Sequence, residues 1–213
     1  MVDVSQTTPV LLATGNIAKQ RALRELLEGL PLHPVTPAEL GLSADPEETA
    51  ETHEAIAVEK AVEWSRLAGM LSVASDGGLV VPFLGPNWES RYTHRFAGPA
   101  ADDEERRRRL AQLLENATGA ERQASWVEAL AVADSGRSLK SWELQGSTGV
   151  IADSVEPGPH PPGFWVFPLW YFPEMGKYYN QLSATEKDSL GDHWTTLKRL
   201  VREYFEREFN SPG

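Results

Sequence analysis

The sequence predicts a single α/β domain over residues 1–213, and its pattern and length support that fold class. Short apolar runs that suit buried strands alternate with amphipathic helical segments in the first part of the chain, and a meander of strand-like segments follows in the middle. The chain has 213 residues, of which 41% are hydrophobic, and this is enough to enclose a large core.

The individual elements are predicted from periodicity and from helix-ending residues. Strands are predicted at residues 9–13, 32–36, 71–75 and 79–84, and helices at about 17–29, 47–68 and 102–119. Glycines close to the ends of the first two helices are typical C-caps. A hairpin that turns at 134–137 is predicted to run into a third strand around Val150. A capping box from Ser183 to Glu186 and a cap at Asp192 predict the last two helices.

Three residues, Asp76, Gly77 and Gly78, lie between the strands predicted at 71–75 and 79–84. Asp and Gly are favoured in hairpin turns for backbone reasons, so taken alone these residues predict a sharp turn. A catalytic role for Asp76 needs support from the rest of the chain.

The composition excludes several classes of protein. The net charge of −11 argues against a nucleic acid polymer as partner, because phosphate backbones are bound by Lys and Arg. No apolar run approaches the roughly 18 residues of a membrane span, so we expect no membrane partner. The absence of cysteine excludes disulfides and thiolate metal sites and fits a cytoplasmic location.

The segment LLATGNIAKQ, residues 11–20, carries the strongest chemical signal from the residues alone. A strand ends in a small turn of Thr14, Gly15 and Asn16, and a helix follows directly with Lys19 in its first turn. Helix N-termini bind anions through their unpaired N–H groups and positive dipole end. A second interpretation stays open at this point, because an Asn cap followed by a surface lysine is common in α/β proteins.

This turn and several later motifs resemble the inosine triphosphate pyrophosphatase family, which hydrolyses aberrant purine nucleoside triphosphates to monophosphate and pyrophosphate. The pattern strand, T-G-N-x-x-K, helix is similar to the opening of that family, where it holds the triphosphate. Further similar segments lie, in the same order as in the family, at residues 46–61, 73–85, 90–92, 146–151, 162–171 and 186–194. Each motif alone is weak evidence. Because the motifs occur in the same order as in the family, the chain resembles a divergent member of it.

The resemblance implies a long mixed central sheet flanked by helices, two lobes with a cleft between them, and a homodimer. It also implies a nucleoside triphosphate substrate and a divalent cation, Mg²⁺ with Mn²⁺ as an alternative. Glu47 or Glu48 and Asp76 would be the metal ligands, Asp76 would act as general base, and Lys19 would neutralise phosphate charge. The further implied substrate contacts are Thr14, Gly15, Asn16, Lys19, Gly77, Arg91, Phe164, Trp165, Lys187 and His193.

The chain also departs from the family pattern. A pair of aspartates in the family becomes Ser75 and Asp76, and a Tyr-Asp pair in the base-reading loop becomes Val166 and Phe167. The family's Ser-His-Arg becomes residues 191–193, Gly-Asp-His. Carboxylate and amide positions in the second helix are also lost, although Glu51 and Glu59 lie nearby. Because polar pockets discriminate through hydrogen bonds, these losses predict an altered base preference.

Two hypotheses from different classes follow. The first is a metal-dependent nucleoside triphosphate pyrophosphatase whose base specificity differs from inosine and xanthosine. The second is a degenerate relative that binds a nucleotide or a protein partner and catalyses nothing, which the missing carboxylate at Ser75 motivates. An unrelated acidic scaffold with chance motifs is a third, weaker alternative.

Overall fold

The computed structural model describes residues 7–43, 50–160 and 162–210. Within these residues seven strands form one sheet, and five α-helices accompany it. The strands are β1 Thr8–Leu12, β2 Leu32–Val35, β3 Leu71–Val80, β4 Gln123–Asp134, β5 Arg137–Ile151, β6 Trp170–Phe172 and β7 Lys177–Tyr178. The helices are α1 Ile17–Leu27, α2 His53–Ala68, α3 Asp103–Leu113, α4 Ala184–Ser189 and α5 His193–Asn210.

The strand order is β2-β1-β3-β4-β5-β6-β7. β1 runs parallel to both β2 and β3, with Leu11 paired to Val35 and Ser72. The later pairs β5–β6 and β6–β7 are antiparallel. The sheet is therefore mixed, and the prediction of an α/β fold with a mixed central sheet is confirmed. No helix in the described part of the chain is long and apolar enough to cross a membrane.

The chain divides into two compact units. Unit 1 holds the described residues up to 76, residues 128–144 and the chain from 194 onwards. Unit 2 holds residues 77–127 and 145–193. The prediction that residues 1–213 act as one domain stays a prediction.

The core of unit 1 has two parts, because successive side chains of a strand point to opposite faces. On one face Val73 packs in a cluster with leucines of α1 and with Leu197 and Val201 of α5. On the other face Ala74 packs with alternate alanines of β4 and with the small residues Ala57 and Ala61 of α2. These alanines give α2 the room to lie close to the sheet, so its polar residues also come close to β3.

The core of unit 2 is aromatic. Trp170 is completely buried, and its indole N–H donates to the carbonyl of Ala124 over 3.1 Å. Phe167 and Tyr179 lie beside it with ring centroids 4.3 Å apart. Buried aromatic rings add specific ring contacts to the area that they remove from water.

The predicted hairpin at Asp76 is wrong, since β3 runs without interruption from Leu71 to Val80. The reason lies in Gly78, where an added Cβ would overlap the backbone carbonyl of Ser90 and lie 2.9 Å from Thr93 Oγ1. A strand glycine often marks such a close approach of another backbone. Thr93 also fixes the strand, because its hydroxyl oxygen accepts from Leu79 N over 2.8 Å.

Other element boundaries also differ from the predictions. The strand predicted at 79–84 ends with β3 at Val80, and a 3-10 helix, Pro82–Asn87, follows. α2 begins at His53 after the cap Thr52, later than predicted, and residues 44–49 lie outside the described residues. α3 ends at Leu113, earlier than predicted, and its cap Asp102 accepts from Glu105 N. The strand predicted around Val150 is the end of the 15-residue β5. The capping box at Ser183 and the hairpin turn after Asp134 are confirmed.

Replacing Gly78 by Ala tests the account of β3. The new Cβ meets backbone, which moves less readily than a flexible side chain, so we expect a loss of about 1–3 kcal/mol in the free energy of unfolding. Gly15→Ala is the matched control, because a Cβ there would meet no atom within 4 Å. Urea unfolding of both variants measures the difference. Equal stability of Gly78→Ala and the native chain would contradict the packing described for β3.

Candidate functional site

Asp76 is the centre of a charged cluster in unit 1. His53 Nδ1 lies 2.6 Å from its Oδ2, and Lys60 Nζ donates to its Oδ1 over 2.9 Å. Lys19 Nζ donates to the carbonyl of Ser75, the preceding residue, over 3.3 Å. The Asp76 side chain keeps 11% of its surface exposed, so it lies at the edge of the core with limited access to solvent. Two helices thus bring three nitrogen-bearing side chains to the middle of β3.

The charges around Asp76 determine its protonation. Burial alone raises the pKa of a carboxyl group, but the hydrogen bond from His53 and the positive charges of Lys19 and Lys60 outweigh that effect and lower the pKa of Asp76 to about 2. Asp76 is therefore ionised throughout the neutral range. One buried negative charge therefore lies among cationic side chains. An anionic ligand bound here would interact with the same cations.

The turn before α1 is built around Asn16. Its Oδ1 caps the helix by accepting from Ala18 N and Lys19 N at 2.9 and 3.1 Å. Thr14 Oγ1 in turn accepts from Asn16 N over 3.1 Å. The cap interpretation of Asn16 is therefore correct, and its Nδ2 group is the donor that it can offer to an anion. Gly15 is exposed, and the space where a side chain would stand is open.

The structure describes only one of the predicted metal ligands, Asp76. Glu47 and Glu48 lie outside the described residues. Within residues 7–43, 50–160 and 162–210, no group of three or more His, Asp or Glu is placed to hold a metal ion, so Glu51 and Glu59 do not complete such a group with Asp76. The two contacts of Asp76 use two of the roughly four acceptor positions of a carboxylate. One carboxylate together with substrate phosphates is a ligand set that suits Mg²⁺.

The position of Ser75 also bears on the missing carboxylate. In β3 the Ser75 side chain points to the face of Val73, away from the face that Asp76 shares with Ala74. Its hydroxyl is buried and has no hydrogen-bond partner among the described residues. A second carboxylate at this position would therefore lie on the opposite face of the sheet from Asp76.

Several predicted substrate contacts lie in unit 2. Lys187 Nζ sits 4.2 Å from the centre of the Tyr179 ring. Phe164 stacks on Phe167 at 4.8 Å, while Trp165 is almost fully buried in the aromatic core. Arg91 forms an ion pair with Glu89 over 2.7 Å, and Gly77 lies within β3. Their roles in binding stay predictions.

His193, another predicted contact, is completely buried in unit 2. Its ring lies nearly parallel to those of Trp126 and Tyr179, with centroids 6.0 and 6.2 Å away. Burial lowers the pKa of His193 to about 4, against the opposing charge of Asp192, so the imidazole is neutral at pH 7. A direct contact with substrate would require this packing to open, and the predicted contact stays a prediction.

Sequence reasoning missed His53 and Lys60 as site residues. Both lie on the face of α2 that turns to the sheet, because residues seven apart are two helical turns apart. Their neighbours on that face, among them Ile56, Ala57 and Trp64, are buried and apolar. A histidine and a lysine within an otherwise apolar helix face were the available signal, since such polar groups need a buried partner.

The fold and this cluster define a class of protein: an α/β protein with a mixed sheet, a helix N-terminal turn that can receive an anion, and an ionised aspartate held among lysines. The chain belongs to the Ham1 family, whose model matches residues 10–203. This confirms the family resemblance found in the sequence.

Individual relatives agree with this assignment. A dITP/XTP pyrophosphatase of Yersinia pseudotuberculosis is 32% identical over 197 residues, which cover 90% of this chain and 95% of that protein. One of Escherichia coli O157:H7 is 32% identical over 193 residues with the same coverage. The structure of a HAM1 protein from Coxiella burnetii superimposes with a TM-score of 0.75 at 26% identity, covering 94% of this chain and all of the other.

Proposed function

We propose that this protein hydrolyses a nucleoside triphosphate to the monophosphate and pyrophosphate, in a reaction that depends on a divalent cation. The single observation that carries the proposal is the ionised Asp76, held by Lys60 and His53 beside Lys19. The family membership supports it, since relatives from Yersinia and Escherichia are pyrophosphatases of dITP and XTP.

The cationic side chains suit the triphosphate. Cleavage of a phosphoanhydride depends mainly on positioning and on neutralising charge. Lys19 follows the turn of Thr14, Gly15 and Asn16, whose open space and donors suit phosphate oxygens. A phosphate near Lys19 would share the charge that this lysine now directs towards Asp76. The pKa of Asp76 would then rise from its low value, and the carboxylate would become a better acceptor for a proton.

We assign to Asp76 the role of activating the attacking water. Its carboxylate is ionised and accepts hydrogen bonds, so it can orient a water molecule and take a proton from it. When a divalent cation is bound with the triphosphate, it supplies charge neutralisation on the phosphate oxygens. Asp76, together with Glu47 or Glu48 as predicted from the sequence, would hold that cation. The oxygen chemistry of these ligands suits Mg²⁺, with Mn²⁺ as the alternative.

We also propose that the base preference differs from that of dITP/XTP pyrophosphatases. Val166 and Phe167 replace a polar pair expected in the base-reading loop, and both are buried in the aromatic core of unit 2. Apolar side chains reject a wrong base far less strongly than hydrogen-bonding ones. The predicted homodimer remains part of the proposal, and no described contact bears on it.

A second function is favoured by one observation. A carboxyl group with a pKa of about 2 is a weak general base at neutral pH. If nucleotide binding does not raise that pKa, the protein binds nucleotides without hydrolysing them. This case corresponds to the hypothesis of a catalytically inactive relative that binds nucleotides.

Pyrophosphate release distinguishes the two functions. The protein is incubated with dITP, XTP and each standard ribo- and deoxyribonucleoside triphosphate, with Mg²⁺, with Mn²⁺ or with a chelator. We expect release of pyrophosphate only with a cation present, and less discrimination among bases than a polar pocket gives. Nucleotide binding without release from any substrate would contradict the enzyme and support the inactive relative.

The variant Asp76→Asn tests the assignment of Asp76. An amide keeps the shape of the carboxylate but neither its charge nor its basicity, so we expect kcat to fall by about a hundredfold or more. Asp134→Asn, at the exposed hairpin turn of unit 1, is the matched control and leaves kcat unchanged. Steady-state kinetics on the best substrate measures both. Full activity of Asp76→Asn would remove Asp76 from the mechanism.

A further inference from the structure

The contact between His53 and Asp76 lies at the centre of the site, and the sequence motifs did not assign it. His53 Nδ1 and Asp76 Oδ2 are 2.6 Å apart, and both side chains are largely buried, with 5% and 11% of their surfaces exposed. The distance is short for a hydrogen bond between nitrogen and oxygen. We propose that His53 is a positioning residue, which donates its Nδ1 proton to Asp76 and fixes the direction of the carboxylate. This inference rests on the proposed function of Asp76.

The direction of the hydrogen bond follows from charge. The ammonium group of Lys60 donates to Oδ1 of the same carboxylate over 2.9 Å, and this ion pair favours the ionised form, whose Oδ2 has no proton to give. The proton between the two groups therefore belongs to His53, on Nδ1. The hydrogen-bond partners of an imidazole determine which ring nitrogen carries the proton, and the partner of Nδ1 in His53 is a carboxylate.

His53 and Lys60 act on the two oxygens of the same carboxylate. His53 bonds to Oδ2 and Lys60 to Oδ1, and both side chains extend from α2. Two donors from one rigid helix restrict rotation of the carboxylate about its last bond, because rotation would break both contacts. The acceptor positions that remain on Asp76 are thereby held in one orientation. Such partners of a reactive group commonly change activity by about 10–100-fold when removed.

The burial of His53 determines the kind of role it can have. With 4% of its surface exposed, it has little surface to offer to water or substrate. A catalytic residue must touch the reacting atoms, whereas His53 touches Asp76. Its effect on the reaction therefore passes through the orientation of Asp76.

Two substitutions separate positioning from packing. His53→Asn retains an N–H donor on Cγ, at the place where histidine has Nδ1, while His53→Leu fills the space without a donor. We expect kcat of His53→Leu to fall by about 10–100-fold with KM changed by less than about threefold, and His53→Asn to recover at least half of that loss on a logarithmic scale. His33→Asn, at an exposed histidine of β2, is the control.

A spectroscopic readout tests the hydrogen bond independently of activity. In protein labelled with ¹⁵N at histidine, we expect a far-downfield proton coupled to one imidazole nitrogen, slow to exchange because the pair is buried. The signal should vanish in both His53 variants and persist in His33→Asn. Its assignment to Nε2, or its absence from the native protein, would overturn the proposal.

The outcomes distinguish this inference from the function itself. A native protein that releases no pyrophosphate overturns the proposed function and with it the kinetic role of His53, while the proton signal still decides the contact. An active native protein with His53→Leu at full kcat overturns the positioning role alone. Equal losses in His53→Leu and His53→Asn show that packing, and not the donor, is what matters, and also overturn it.

Discussion

The buried carboxylate of Asp76 is the centre of the proposed site. Its charge is stable in a largely apolar setting only because His53 and Lys60 hydrogen-bond to both of its oxygens and Lys19 adds positive charge nearby. Removing one partner of a buried charge leaves the other uncompensated, which is costly. The interactions that stabilise the carboxylate also place Lys19 and Lys60 close together, and these are the cations that the proposed triphosphate substrate would need.

The fold supplies this arrangement through close packing of small side chains. Alanines on β4, on β3 and on the inner face of α2 let the helix lie near the sheet, and its two polar residues then reach Asp76. Lys19 arrives from a different element, the first turn of α1, whose start is fixed by the Asn16 cap. A strand, a helix face and a helix start thus each contribute a side chain to the cluster around Asp76.

Local patterns predicted most of the fold but only part of the site. The strands β1 and β2, the helices α1 and α3 and the capping box at Ser183 follow from periodicity and capping residues, which act over a few positions. The hairpin at Asp76 failed because turn propensity is local, while the need for Gly78 comes from backbone 12 residues further on, at Ser90. His53 and Lys60 were missed for the same reason, since their partner lies 23 and 16 residues away.

The ionisation of Asp76 tests the central claim most directly. The pKa of its carboxyl group can be followed by the ¹³Cγ chemical shift in protein labelled at aspartate, with Asp76→Asn used to assign the signal, in the absence of divalent cations. We expect a midpoint near 2, well below the ordinary value of 3.8, and a rise when Lys60 is replaced by Met. A midpoint at or above 3.8 in the native protein would contradict it, because His53, Lys60 and Lys19 would then not be holding the charge.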